Sequence, residues 1–227
     1  LAEENRIRTK TEAAPRGLVY DSKGKVLAQN QPGFSLIVYP ADLPQKDSKR
    51  EEVYQRLKKL VSFKKENWQK IENQYLYQLE PVILKENLTQ KKALILKEQT
   101  ASMAGVEVED QIKRLYNSSA GLAHLMGYIG KINEEELESL DYEDLAMTDY
   151  IGKSGLEKTY DRHLRGEKGK KQVEVDSAGR VERVLAQKEP QVGNSLILSL
   201  DYDLQKKMTR SLRSILDRQN LSKGVAV

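Results

Sequence analysis

The 227-residue chain holds two serine–lysine pairs at the spacing that acyl transfer uses, Ser22 with Lys25 and Ser62 with Lys65. In an S-x-x-K pair on a helix, the serine hydroxyl attacks an acyl carbonyl and the lysine, one turn on, relays the proton. That chemistry also needs an S-x-N element and a K-[T/S]-G segment on a strand that borders the substrate. Lys153-Ser154-Gly155 matches the last pattern, but it precedes a helix-prone run, and no S-x-N occurs anywhere. Ser22 lies in a turn, and S-x-x-K arises by chance in a lysine-rich chain. Neither serine is expected to be a nucleophile.

Other chemistries fare no better. Cysteine is absent, which removes disulfides, thiolate metal sites and thiol catalysis together. The two histidines, His124 and His163, lie far apart, and no H-E-x-x-H or D-x-D-x-D-G pattern accompanies them, so neither a metal nor any other cofactor is expected. His124 has no serine or carboxylate at a spacing that would make it an acid–base group, and reads as a helix histidine. Glu134, Glu135 and Glu136 complement the first turn of a helix dipole. Gly152 and Gly155 could cradle a phosphate at a helix N-terminus, but without a G-x-x-x-x-G-K loop they read as a tight turn. Tyr75 and Tyr77 read as core or interface packing.

The elements that would carry these residues follow from periodicity. Runs at 17–20, 25–28 and 33–39 are β-prone, with Asp21-Ser22-Lys23-Gly24 as the turn of a hairpin. Val53, Tyr54, Leu57, Leu60 and Val61, then Trp68, Ile71, Tyr75, Leu76 and Leu79, recur at helical spacing and give each helix one buried face. A short strand at 81–84 precedes a helix capped by Thr89, and alternation from Gly105 onward predicts another strand. Asn133-x-x-Glu136 is a capping box. Leu156, Tyr160 and Leu164 share a helix face stopped by Gly166. Alternating strands at 172–176 and 180–185 flank a turn at 177–179, a strand covers 195–200, and Asp201 caps a helix whose stripe is Leu204, Met208, Leu212, Ile215 and Leu216. The expected fold class is α+β: a discontinuous β-rich part carrying an inserted, mainly helical part.

Composition agrees with a folded, solvated chain. Apolar residues make 38% and charged residues 32%, and 38 basic against 34 acidic side chains leave a net +4. The two signs are interspersed, without the basic stripe and stacking aromatics that nucleic acid requires, so no nucleic-acid partner is expected. No run of 18 apolar residues occurs. Residues 1–14 are polar and helix-prone, and 224–227 read as half of an apolar strand, so the chain is expected to be a piece of a longer protein.

Four ordered motifs carry a family resemblance. Arg16, Gly17, Asp21 and Gly24, within the stretch from Ala14 to Asn30, resemble R-G-x-I-x-D-R-x-G-x-x-L-A of class B penicillin-binding proteins, with Ser22 in place of the arginine. Arg114, Tyr116, His124, Gly127 and Tyr128 resemble R-x-Y-P-x-G-x-x-x-x-H-x-x-G-Y, with Asn117 in place of the proline. Gly152, Gly155, Leu156, Glu157, Tyr160, Leu164 and Gly166 resemble G-x-x-G-L-E-x-x-Y-x-x-x-L-x-G. Pro190, Gly193, Leu198, Leu200 and Asp201 resemble P-x-x-G-x-x-L-x-L-T-L-D, with Ser199 replacing threonine. The spacing is most similar to the elongation-type penicillin-binding protein 2 group, and the resemblance spans the whole chain.

The resemblance implies the non-catalytic pedestal of a peptidoglycan D,D-transpeptidase on the outer side of the inner membrane, with the catalytic serine beyond Val227. Its parts would be a juxtamembrane linker at 1–14, an anchor at 15–40 and 145–200, a head at 41–144, and the truncated start of the transpeptidase domain at 201–227. The membrane would be reached only through an N-terminal anchor missing from this sequence. Implied partners are the polytopic peptidoglycan glycosyltransferase of the elongation complex and a rod-shape scaffold protein, with self-association left open and head opening as the switch. The scaffold protein is expected on the faces of Leu57, Leu60, Trp68 and Tyr75. Arg16, Asp21, Arg114 and Glu157 are expected in buried, hydrogen-bonded ion pairs whose pairing is left open. The alternative is a stand-alone extracytoplasmic interaction module with no enzyme parent.

Overall fold

The computed structural model describes residues 6–75, 81–117, 120–139, 145–146, 148–176 and 181–225. In chain order the elements are β1 (Arg6–Glu12), β2 (Val19–Tyr20), β3 (Val26–Val38), α1 (Asp47–Leu60), α2 (Lys65–Lys70) and β4 (Val82–Leu88). There follow α3 (Gln90–Thr100), β5 (Val106–Tyr116), α4 (Ala123–Met126), β6 (Ile129–Lys131), α5 (Glu134–Ser139) and β7 (Tyr150–Gly152). The last are α6 (Gly155–Thr159), α7 (Asp161–Leu164), β8 (Gly169–Val175), β9 (Val181–Lys188), β10 (Leu196–Ile197) and α8 (Tyr202–Arg218). The chain divides into two units: unit 1 comprises 1–13, 31–113 and 168–190, and unit 2 comprises 14–30, 114–167 and 191–227. The mixture of helices and antiparallel strands is the α+β class expected from the sequence.

Unit 1 is built on apolar periodicity. Val53, Tyr54 and Leu57 of α1, with Trp68 of α2 and Ile71, meet Leu36 and Val38 of β3, Leu84 and Leu88 of β4, Ala93 and Leu96 of α3, and Val106 and Val108 of β5 in one buried cluster. β3 pairs antiparallel with β4, from Phe34 opposite Leu88 to Val38 opposite Val82, and β5 also pairs with β3. Tyr54 packs against Phe63 and Trp68 at ring-centroid distances of 5.9 and 5.6 Å. Thr89 caps α3, its side chain accepting the Lys92 N–H, as its position before the helix predicts.

A second sheet of unit 1 runs β1-β8-β9, all antiparallel. Here the structure differs from the helix-prone linker expected at 1–14: residues 6–12 form β1, paired along its whole length from Arg6 opposite Val175 to Glu12 opposite Gly169. The reason is visible in Ile7, Thr9 and Thr11, β-branched residues at alternate positions. Helix-compatible composition yielded to strand pairing. From the alternating residues Arg8 and Lys10, Arg8 grips Asp42 with two bonds of 2.7 and 2.8 Å, and Lys10 donates to Glu107 at 2.6 Å. Both cations lie over the Tyr39 ring.

Unit 2 has shorter elements. β2 pairs antiparallel with the start of β3 and parallel with β10, and β6 pairs antiparallel with β7. Val19, Leu27, Ala28, Leu122, Met126, Leu164 and Tyr202 form its apolar cluster, with Tyr116, Leu156, Leu196, Leu198 and Leu200 packed against it.

The observed division differs from the expected one at both ends of the inserted part. Residues 114–139 group with β2 and not with 41–113, and 168–190 group with unit 1. β4 and the eleven-residue β5 run through the expected inserted part, where the sequence predicts two strands. The strand expected at 195–200 is only Leu196–Ile197, and no strand forms at Gly224 or Val225. The expected turn at 177–179, together with Leu76, Tyr77, Leu79, Ala226 and Val227, lies outside the described residues.

Candidate functional site: a buried ion-pair network

The motif residues converge on Glu157, which α6 places in unit 2 with no solvent exposure. Arg16 enters just before β2, and Arg114 comes from the end of β5. Each arginine offers its Nε to a different carboxylate oxygen of Glu157, Arg16 at 2.7 Å and Arg114 at 2.8 Å. One carboxylate thus bridges two guanidiniums that are 141 and 43 residues away in sequence. Arg16 also donates to the Glu157 carbonyl at 3.0 Å and lies 2.8 Å from Asp161. Arg114 donates to the Gly17 carbonyl at 2.8 Å and to the Asn30 side chain at 3.2 Å. These bonds are the compensation without which burying the ions would cost several kcal/mol each.

Asp161 extends the network. It accepts the Gly152 N–H at 2.8 Å and an Arg165 bond at 2.7 Å. Neither Asp161 nor Arg165 was picked out from sequence, nor was Asn30. The i, i+4 ladder Glu157–Asp161–Arg165 was the available signal, masked because the helix breaks at Tyr160 between α6 and α7. Burial lifts the Tyr116 hydroxyl to about 12, and the Glu157 charge adds to this.

Asp21 does separate work. Its side chain accepts the N–H groups of Lys23 at 2.9 Å, Lys25 at 2.8 Å and Tyr202 at 3.1 Å. The turn after β2 is therefore tied to the first residue of α8. Lys23 pairs with Asp201 and Lys25 with Asp203. Burial alone would raise the Asp21 pKa, but the three backbone donors outweigh it and leave it below the ordinary carboxylate value.

Among the motif glycines, Gly24, Gly127 and Gly155 have positive φ, and at Gly127 and Gly155, with φ of +70° and +56°, space is tight as well: a Cβ on Gly155 would lie 2.6 Å from the Gly127 nitrogen. The two meet where α4 ends and α6 begins. Gly24 occupies the turn after Asp21, Gly17 and Gly166 lie against the carbonyls of Asn194 and Gln191, and Gly152 lies against that of Glu157. Leu156 packs on the unit 2 cluster. His124 is exposed on α4, and Tyr160 is 40% exposed beside His163. Apart from Pro190, the motif residues fall in unit 2, and His124 and Tyr160 stand apart from the network.

The expected partner-binding residues are in unit 1, and two require correction. Leu57 and Trp68 are 0% and 2% exposed, because they hold the center of the unit 1 cluster, so neither presents a face to a partner. Leu60 is partly buried at the end of α1. Tyr75 closes a π-helical turn at Ile71–Tyr75, and its side chain lies outside the described residues.

The acyl-transfer candidates are dispersed. Ser22 and Ser62 lie in exposed segments outside helices. Lys25 is committed to Asp203 and the Tyr202 ring, and Lys153, ahead of α6, pairs with Glu136. Asn133 and Glu136 form the expected reciprocal capping box, with bonds of 2.9 and 2.7 Å. Among the described residues no group of metal-ligating side chains forms, and no helix is long and apolar enough to cross a membrane.

The described residues thus form an α+β chain whose second unit is organized around a buried arginine–carboxylate network. Comparison with known proteins gives the family. The "Penicillin-binding Protein dimerisation domain" matches residues 11–198, and the chain belongs to that family. It is 35% identical to the peptidoglycan D,D-transpeptidase MrdA of Acinetobacter baumannii, over 90% of this chain and 30% of that protein. With the MrdA of Escherichia coli K12 it shares 31% identity, over 89% and 32%. The chain thus spans about a third of the length of these relatives. Its fold is similar to a solved complex between penicillin-binding protein PBP2 and MreC from Helicobacter pylori, with TM-score 0.71 and 25% identity over 92% of this chain and 39% of that one. Penicillin-binding protein 2B of Streptococcus pneumoniae shares the fold at TM-score 0.66 and 18% identity, over 95% and 44%.

Proposed function

We propose that this chain is the non-catalytic pedestal of a peptidoglycan D,D-transpeptidase that cross-links the cell wall through a serine acyl-enzyme. The observation that carries the reading is the match to named transpeptidases over nine-tenths of this chain but under a third of their length. The dispersed serine and lysine candidates support it. Within this reading, 201–227 lead into the catalytic domain. The exposure of Leu204 and Ile215, 55% and 52% on the apolar stripe of α8, supports that role. The parent protein is held at the inner membrane on its outer side. Its partners are a rod-shape scaffold protein, a reading supported by the complex that the Helicobacter relative forms with MreC, and the peptidoglycan glycosyltransferase of the elongation complex.

Fluorescent penicillin tests the reading. The full-length protein is expected to become covalently labeled at a serine outside this sequence, and the 227-residue chain to remain unlabeled. Labeling of Ser22 or Ser62 would overturn it, and so would a full-length protein that takes up no label.

A further inference from the structure

The α3 helix of unit 1 buries Ala93, Leu96 and Thr100, yet it also exposes Leu94 and Ile95 at 62% and 46%. Beside Ile95 lies a cavity of about 320 Å³, lined by Leu60 at the end of α1 and by Thr89, Lys91, Lys92, Ile95, Leu96 and Gln99. Its floor is aliphatic. Its rim is cationic at Lys91 and Lys92, which line it. Single exposed apolar residues are ordinary, but adjacent ones beside an aliphatic cleft with a charged rim fit a docking surface.

We propose that this groove is a docking site for an acidic amphipathic helix of a protein partner, whose leucine-like side chains enter between Leu60 and Ile95 while its carboxylates meet the lysines. The groove is lined by side chains of α3 and the end of α1, so helix-in-groove recognition is the mode that fits. Charge chooses the occupant. A second copy would bring the same lysines face to face, and like charges across an interface repel. A lipid surface would engage the protruding Leu94 and Ile95 alone, whereas a helix can also fill the recess over Leu60 and Leu96. The proposal rests on the pedestal reading only in supposing that unit 1 receives partners, and its test uses no transpeptidase readout.

The probe is a fluorescein-labeled synthetic helix with leucine at alternating third and fourth positions and glutamate elsewhere, read by anisotropy against the 227-residue chain. Saturable binding is expected, weakened at least about tenfold by Ile95→Glu and by Lys92→Glu. Lys223→Glu, the same charge change on an exposed residue of unit 2, should leave it unchanged. Both groove substitutions are on the exposed surface of α3 and should retain the parent melting curve. Absence of binding overturns the proposal, as does equal binding of a scrambled peptide or an undiminished affinity in Ile95→Glu. Sedimentation with phosphatidylglycerol vesicles that Ile95→Glu abolishes, without peptide binding, would reassign the groove to a membrane surface. A dimer lost in the same variant would reassign it to a second copy.

Discussion

Unit 1 closes on sixteen buried apolar residues, among the described ones, whereas unit 2 closes on seven and adds a carboxylate held between two arginines. Apart from Pro190, every residue of the motif set lies in the second unit. Physics accounts for that asymmetry. An apolar core accepts volume-conserving exchanges at a cost of about 1.5 kcal/mol or less, so many sequences fill it and no letter is diagnostic. A carboxylate that accepts one bond from each of two buried guanidiniums tolerates no single exchange, because either side left alone is an unpaired buried charge, and the residues around it become a pattern of identities.

Glu157→Ala should separate the two units most strongly. It would leave Arg16 and Arg114 buried without their shared acceptor, and removing one partner of such a network costs about 3–5 kcal/mol. Peptide-level hydrogen exchange should show protection lost in 14–30 and 114–117, while 31–75 keeps its own. Uniform loss across both units would show that the network does not stabilize unit 2 selectively. Glu157→Gln should rescue little, since the amide nitrogen faces a guanidinium donor.

Leu57→Ala is the counterpart in unit 1, with an expected cost of about 3 kcal/mol from lost transfer energy and the cavity left behind. Here a conservative exchange should rescue. Leu57→Met keeps the volume and should recover most of the loss in a urea melt. A methionine variant as unstable as the alanine one would mean that unit 1 also demands particular residues, and the distinction between the units would collapse.

These differences also explain what could be read from sequence. The hairpin turn at Asp21, the capping box at Asn133 and the helix faces of α1 and α8 depend on neighbors within a few residues, and periodicity reveals them. Arg16, Arg114 and Glu157 were recognizable as buried partners, but their pairing spans up to 141 residues and rests on three-dimensional placement. The polar composition of β1 speaks for a helix, while its strand partner β8 lies more than 150 residues away. Leu57 and Trp68 were read as a binding face for a related reason: periodicity identifies the apolar side of a helix without saying what covers it.

The smallest expected effects are on pH dependence, and the units should differ in sign. The folded-state pKa of Asp21 in unit 2 is lowered from 3.8, because the N–H donors of Lys25, Tyr202 and Lys23 outweigh the opposing effect of burial. Its stabilization is therefore complete above about pH 3.8 and lost as pH falls through the lower folded value. The pKa of Glu109 in unit 1 is raised from 4.5, first by burial and then by Glu107 and Asp110, against the Tyr39 hydroxyl and Lys10. Its contribution is complete below about pH 4.5 and lost as pH rises through the higher folded value. Exchange protection measured across this range should show Asp21→Asn flattening the acid limb of 14–30 and 191–225. Glu109→Gln, which can still accept the Tyr39 bond, should flatten the limb above pH 4.5 in 31–75 and 81–113. If both variants altered the same limb, the two carboxylates would not be working in opposite directions.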